Sequence, residues 1–369
     1  MSHRMRWGGV GCFSVGLVIA CGSRTGLLYD DGKTWPVTED GGTVCYGTPN
    51  PATPPIPNLY FVLDASTSMT DQNKWSDVRT VIGAVIQQVG SRARFGAAVF
   101  PTSPTRTDSC NSGVEVMPLK LGDDHGATLA AFMKATNISP NGGTPTASTL
   151  ELLTPTLRAF PGVTYVIVAT DGGPNCNLDI TCGVDQCTNN LESLGTGCTP
   201  GGSVNCCDAS NPVVAGPQGC LDGARATLAV SDLRASGIRT FVIGIPGSSL
   251  YASVLDDMAV AGGTARSSEP LYYSVNSSDT TELETTIEAV TLQTLSCALT
   301  LARAPSTTIG LNAYIGGVWV PRSTAAGADG WTLEGTTLAF TGAPCSELEA
   351  NPSSEVTLVE GCPPVGGGE

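Results

Sequence analysis

The 369-residue chain sets 33 acidic residues against 18 basic ones, for a net charge of −15, and carries 14 cysteines but only two histidines. So acidic a surface argues against nucleic acid as a partner and against electrostatic attachment to an anionic membrane. The length leaves room for one large domain and something smaller.

His3, Arg4 and Arg6 precede an apolar run over 10–20 that is too short to span a bilayer. This is the layout of a secretory signal peptide over 1–20. Val18-Ile19-Ala20-Cys21 resembles a bacterial lipobox, in which Cys21 is the acylated first residue after processing. An ordinary signal peptide with an incidental Cys21 is the alternative. Removal of 1–20 takes away Arg4 and Arg6 and leaves a charge of −17. Attachment would then come from lipid, at about 0.8 kcal/mol per buried CH2. Gly22 stands where an Asp would resemble an inner-membrane retention signal, so an exported, lipid-anchored protein of the cell envelope, at the outer membrane, is expected. No later segment is long and apolar enough to be a transmembrane helix.

Residues 21–57 are rich in Gly, Pro, Thr and Asp and read as an extended tether that cannot bury a core. Within them, Gly26 to Thr34 has a passing likeness to a phosphate-binding loop. Leu27 stands where its first Gly is needed, and Trp35-Pro36 follows in place of a helix, so we read it as tether.

From Asn58 strands and helices alternate. Strands are expected at 59–63, 94–100, near 114–118, at 163–169, 238–245 and 271–275. Helices are expected near 73–90, 124–136, 146–159, 222–236, 249–261 and 279–295. That is an α/β domain over 58–296: a doubly wound, six-stranded, mostly parallel sheet, interrupted by a Cys-rich insert at 172–222. Residues 297–362 show few helix signals and strand candidates at 298–301, 311–315, 318–320 and 356–359, and read as a small disulfide-closed β appendage. Residues 363–369 read as a disordered tail.

Setting aside Cys12 and Cys21, twelve cysteines remain, an even number that in an exported chain reads as up to six disulfides. The insert holds seven: Cys176, Cys182, Cys187, Cys198, Cys206, Cys207 and Cys220. It has no C-x-x-C, and His125 is distant, so zinc-ribbon spacing is absent. Cys206 and Cys207, being adjacent, each need their own partner. Cys110 follows the strand at 94–100, whose end emerges on the same face as the strand that feeds the insert. It is the natural eighth member, leaving Cys45, Cys297, Cys345 and Cys362 to pair among themselves.

Asp64-Ala65-Ser66-Thr67-Ser68 follows the buried-strand pattern at 59–63 and puts carboxylate and hydroxyl oxygens at a strand's carboxyl end, where open α/β sheets bind ligands. Hard oxygen donors suit Mg2+, Mn2+ or Ca2+ rather than Zn2+. Two further segments accompany it: Asn141-Gly142-Gly143-Thr144-Pro145-Thr146 opens a helix, and a second apolar strand ends in Asp171-Gly172-Gly173. In order and spacing the three segments resemble the von Willebrand factor A (VWA) domain and its metal-ion-dependent adhesion site. The resemblance implies that Ser66, Ser68 and Thr144 contact a metal directly through hydroxyls. It implies that Asp64 and Asp171 act partly through water. A protein partner would complete the coordination with an acidic side chain.

Catalytic arrangements are absent elsewhere. There is no G-x-S-x-G elbow. His125 beside Asp123 and Asp124 reads as a solvated helix-start histidine, and Asp256-Asp257 as helix-terminus acids. Glu282, Glu284 and Glu288 read as a solvated helix face. The expectation is a non-enzymatic, metal-dependent adhesion module. An envelope scaffold with a buried structural metal is the alternative, and a metal-dependent hydrolase ranks behind both.

Overall fold

The structure is a computed structural model that describes residues 35–38, 44–102, 110–208, 210, 216–276, 280–294, 296–323, 325, 328–351 and 354–362. The signal peptide, Cys21, the first part of the tether and the tail at 363–369 lie outside them. In chain order the elements begin with β1 (Trp35–Thr38), β2 (Val44–Thr53), β3 (Asn58–Asp64), α1 (Lys74–Val89), β4 (Arg94–Phe100) and β5 (Val114–Leu121). There follow α2 (Ala127–Ala135), α3 (Thr146–Ala159), β6 (Thr164–Thr170), α4 (Thr188–Leu191), α5 (Gly223–Ala235), β7 (Arg239–Gly244), α6 (Ala252–Gly262), β8 (Tyr273–Ser274) and α7 (Thr280–Leu292). The chain ends with β9 (Ala298–Leu301), β10 (Leu311–Ile315), β11 (Val318–Val320), β12 (Gly330–Glu334), β13 (Thr337–Thr341), α8 (Ala343–Ala350) and β14 (Val356–Glu360). Among the described residues no helix is long and apolar enough to cross a membrane.

Six strands form one sheet in the order β5-β4-β3-β6-β7-β8, parallel except for the antiparallel edge strand β5. β5 carries Pro118, tolerable at an edge because no neighbour beyond it needs that N–H. The middles of the central strands are apolar because helices cover both faces. Side chains alternate between two cores: Leu59, Phe61 and Leu63 face α1 and α7 with Ile167 and Ala169. Tyr60 and Val62 face α3, α5 and α6 with Val166 and Val168. The carboxyl ends of β3 and β6, which carry Asp64 and Asp171, thus lie side by side.

A separate antiparallel sheet of eight strands runs β11-β10-β14-β2-β9-β13-β12, with β1 also on β2. Its ends nearly meet: Arg322 bridges to Trp331 of β12, and the Trp331 indole N–H donates to the Val320 carbonyl at 3.1 Å. Trp331, Leu338, Phe340 and Leu358 form its core.

This sheet corrects the expected tether. Thr48 to Ala52 pair residue for residue with Glu360 to Val356, and Ala52 and Thr53 pair with β9. A Pro-rich composition suggested solvated chain, but Asn50 is fully buried, its side-chain N–H donating to the Arg303 carbonyl at 2.9 Å. The β domain is therefore built from both ends of the described chain, and the α/β domain is inserted between β2 and β9. The β12–β13 hairpin and α8 were also missed. Gly335 at φ +60° makes the tight turn between two runs that alternate apolar and polar.

The five disulfides among the described residues agree with the expected partition. Cys110 joins Cys176, and the insert closes on itself through Cys182–Cys220, Cys187–Cys207 and Cys198–Cys206. Cys297 joins Cys345, and Cys362 is disulfide-bonded. The side chain of Cys45 lies outside the described residues.

Candidate functional site

The β3 strand delivers Asp64 fully buried, not at the surface as a loop residue would be. Its Oδ1 accepts the Ser66 N–H at 2.7 Å and its Oδ2 accepts the Thr170 hydroxyl at 2.5 Å. These bonds fold the Asp64–Ser68 loop back over the end of β3, so that Ser66 Oγ and Ser68 Oγ lie 3.1 Å apart. The Ser68 hydroxyl in turn donates to Asp171 Oδ1 at 2.9 Å. Ser66, Ser68 and Asp171 thus form one chain of bonded oxygens, to which Asp64 is joined through the Ser66 N–H.

Thr144 arrives from the opposite wall. The Thr67 N–H donates to the Gly142 carbonyl at 3.0 Å and the Asn141 N–H to the Ala65 carbonyl at 2.8 Å, which pins the two loops together. Asn175 clamps the other side: its side-chain oxygen accepts the Thr144 N–H at 2.7 Å and its own N–H donates to the Thr144 carbonyl at 2.9 Å. A β-carbon on Gly172 would lie 3.4 Å from Thr144 Oγ1, so the hydroxyl reaches the loop that follows Asp171. Among the described residues Thr144 Oγ1 has no hydrogen-bond partner. All five expected residues are brought together, and four are at least nine-tenths buried, with Ser68 more open.

Burial, and next the charge of Asp171, push the Asp64 carboxyl up to about 7, against the hydrogen bonds from Thr170 and Ser66. A cation beside it would reverse that shift. The donor set is hydroxyl and carboxylate oxygen throughout, which fits a hard divalent cation. By contrast, Cys182, Cys207 and Cys220 cluster within reach of one another, but their sulfurs are in disulfides and are not thiolate ligands.

Sequence reasoning missed two charged residues at this site. The Lys74 ammonium sits 2.7 Å from Asp171 Oδ2, with the two side chains 12% and 1% exposed. Gln72 and Asn73 precede it at φ +51° and +63°, and this double left-handed turn aims the first residue of α1 back at the site. Only Asn73, a residue tolerant of that conformation, hinted at it. The second is Glu192 of the insert, which accepts the Tyr251 hydroxyl. Burial raises its pKa; the Tyr251 bond lowers it, and the charges of Asp171 and Lys74 act on it in opposite senses.

The residues assigned no function have structural work. Asp123 accepts the N–H groups of His125, Ala127 and Thr128 at the start of α2. Asp256 differs from expectation: it sits inside α6 and accepts the backbone N–H groups of Leu271 and Tyr272.

A scan against protein-family models finds no match, and a search of curated proteins also finds none. Solved structures do show likeness. The pilus adhesin SpaC from Lactobacillus rhamnosus GG, in its open conformation, matches at 16% identity and TM-score 0.45, over 85% of this chain and 40% of that one. The vWF domain of the type V pili tip protein Mfa5 from Porphyromonas gingivalis matches at 11% identity and TM-score 0.45, over 66% of this chain and 96% of that one. The PilB minor pilin from Streptococcus sanguinis matches at 18% identity and TM-score 0.43, over 65% and 61%. This chain spans about two fifths of the length of the SpaC structure. Likeness at this level carries no functional argument, which rests on the site itself.

Proposed function

We propose that the α/β domain is of the von Willebrand factor A type and that its Asp64, Ser66, Ser68, Thr144 and Asp171 hold a divalent cation, Mg2+ or else Mn2+ or Ca2+. The protein would be a non-enzymatic adhesion module of an exported lipoprotein anchored through Cys21, with a protein partner that supplies an acidic residue. The observation that carries this reading is the connected oxygen set, with Ser68 Oγ bonded to both Ser66 Oγ and Asp171 Oδ1. When bound, the cation would link these oxygens to a partner carboxylate. Ser68 donates its proton to Asp171, accepts that of Ser66, and keeps one lone pair free. Asp64 is committed to Ser66 and Thr170, in keeping with a carboxylate that acts from behind the hydroxyls. Both oxygens of Asp64 and both of Asp171 are already engaged, which leaves neither as a free general base.

Calorimetric titration with Mg2+ and Mn2+, followed by affinity capture in Mg2+ against EDTA, tests the reading. One cation bound per chain and partner capture only with metal are expected. Absence of any cation binding would sink it. The deep burial of Asp64 favours a second reading, a scaffold with a structural cation. Water proton relaxation with Mn2+ separates the two, because a closed structural ion has no exchanging water and an adhesion site does.

A further inference from the structure

Lys74 stands inside the site, and the binding proposed above makes no use of it. Its ammonium is paired with Asp171 at 2.7 Å, and the pair is almost wholly buried. A divalent cation among the neighbouring oxygens would set a second positive charge against this one at short range in a poorly screened place. Removing one member of a buried ion pair leaves the other charge uncompensated, so Lys74 needs another acceptor if it leaves Asp171.

The Cys-rich insert brings one. Glu192 directly follows α4, in the insert that leaves the sheet just after Asp171. Its carboxylate is held by the Tyr251 hydroxyl. The Tyr251 ring is itself fixed against Gly173, two residues beyond Asp171, where a β-carbon would come within 2.5 Å of it. On another side a β-carbon on Gly247 would lie 3.4 Å from Lys74 Nζ, so backbone walls the ammonium there. Gly247 and Tyr251, four residues apart, thus link the two groups: the first abuts Lys74 and the second holds the Glu192 carboxylate beside the loop that follows Asp171.

We infer that Lys74 is a tethered counter-cation with two docks: Asp171 when the oxygen site holds no divalent cation, and Glu192 when it does. The insert thereby sets the metal affinity of the site. This inference rests on the proposed cation site.

Mn2+ titration calorimetry on the full chain tests it with wild type, Lys74→Met, Glu192→Gln and the double variant, each checked for fold by circular dichroism. Lys74→Met should bind Mn2+ about tenfold more tightly, and Glu192→Gln several-fold more weakly. In the Lys74→Met background Glu192→Gln should change affinity little, because the dock matters only when there is an ammonium to receive; such non-additivity is the mark of direct coupling. Should Lys74→Met not fold, Lys74→Gln serves in its place. Wild-type binding with unchanged affinity in Lys74→Met, or strictly additive effects in the double variant, overturns the inference and spares the cation site. Binding in Lys74→Met alone supports the inference. Binding in neither overturns both readings.

Discussion

Cys110 is bonded to Cys176, and the bond lies directly against Gly143, the residue before Thr144. A β-carbon on Gly143 would stand 2.6 Å from Cys176 Sγ and 3.3 Å from Cys110 Sγ. The bridge therefore ties the chain beyond β4 to the start of the insert and backs the loop that presents Thr144. Asn175, next to Cys176, makes the two bonds that clamp Thr144.

Replacing both cysteines by serine should lower stability by about 2–4 kcal/mol, chiefly by freeing the unfolded chain, and should weaken Mn2+ binding. Urea unfolding and calorimetry measure the two effects. Gly143→Ala should weaken Mn2+ binding with the disulfide intact, since its methyl group has no room. A free Cys110 thiol in non-reducing peptide maps of oxidised protein would remove the basis of both expectations.

Asp64 gives the cation-free protein a specific pH signature. Its folded pKa, about 7, lies above the ordinary carboxylate value. The stabilisation from the protonated form is fully present below the unfolded value near 4 and is lost as pH rises through about 7. In EDTA the α/β domain should thus lose stability between these limits, then level off. Asp64→Asn should abolish the slope and raise stability at pH 8, with the Thr170 hydroxyl turning to accept from the amide. Thermal melts from pH 4 to 8 decide it; an unchanged slope in Asp64→Asn assigns the effect to another group.

The sheet and the clustering of Asp64, Ser66, Ser68, Thr144 and Asp171 were readable in advance because each depends on local pattern. Leu59 to Leu63 and Val166 to Ala169 are unbroken apolar runs, as strands buried on both faces must be. The D-x-S-x-S loop then follows from the end of the strand. What escaped depended on distant partners. Thr48 to Ala52 carry proline and little hydrophobic alternation, and only the facing residues of β14, about 300 positions later, make them a strand. Lys74 is an ordinary helix-start residue until the left-handed Gln72 and Asn73 turn it toward Asp171. Glu192 is one acid in an insert shaped by its disulfides, and no periodicity marks it.

Glu360 should give the β domain the opposite pH response. Its buried carboxylate accepts the Ser306 hydroxyl and N–H at 2.7 Å each, and pairs with Arg303 at 2.7 Å. Burial pushes its pKa up, but the Ser306 bonds, Arg303 and Asn50 together hold it below the ordinary value. The stabilisation is present above that ordinary value and is lost as pH falls through the depressed one. Glu360→Gln should cost about 1–3 kcal/mol at pH 7 and flatten the acid limb of the β-domain transition. Hydrogen exchange at the β14 amides reports it, and equal protection in the variant at pH 7 would refute the clamp.

The position of β2 yields the most direct test of chain organisation. β2 lies inside its sheet, between β14 and β9, while the whole α/β domain separates it in sequence from both. A tether could be removed without consequence. Removal of a central strand strands the backbone donors and acceptors of both neighbours and opens the core around Trp331 and Leu358. A chain that starts at Asn58 should therefore keep a cooperatively folded α/β domain with unaltered Mn2+ binding and lose the β domain. In amide hydrogen exchange, β3 and β6 should stay protected while β10, β13 and β14 exchange at unfolded rates. Limited proteolysis should cut within 297–362 and leave 58–296 whole. Native protection of β14 in the shortened chain would return residues 44–53 to the role of a tether.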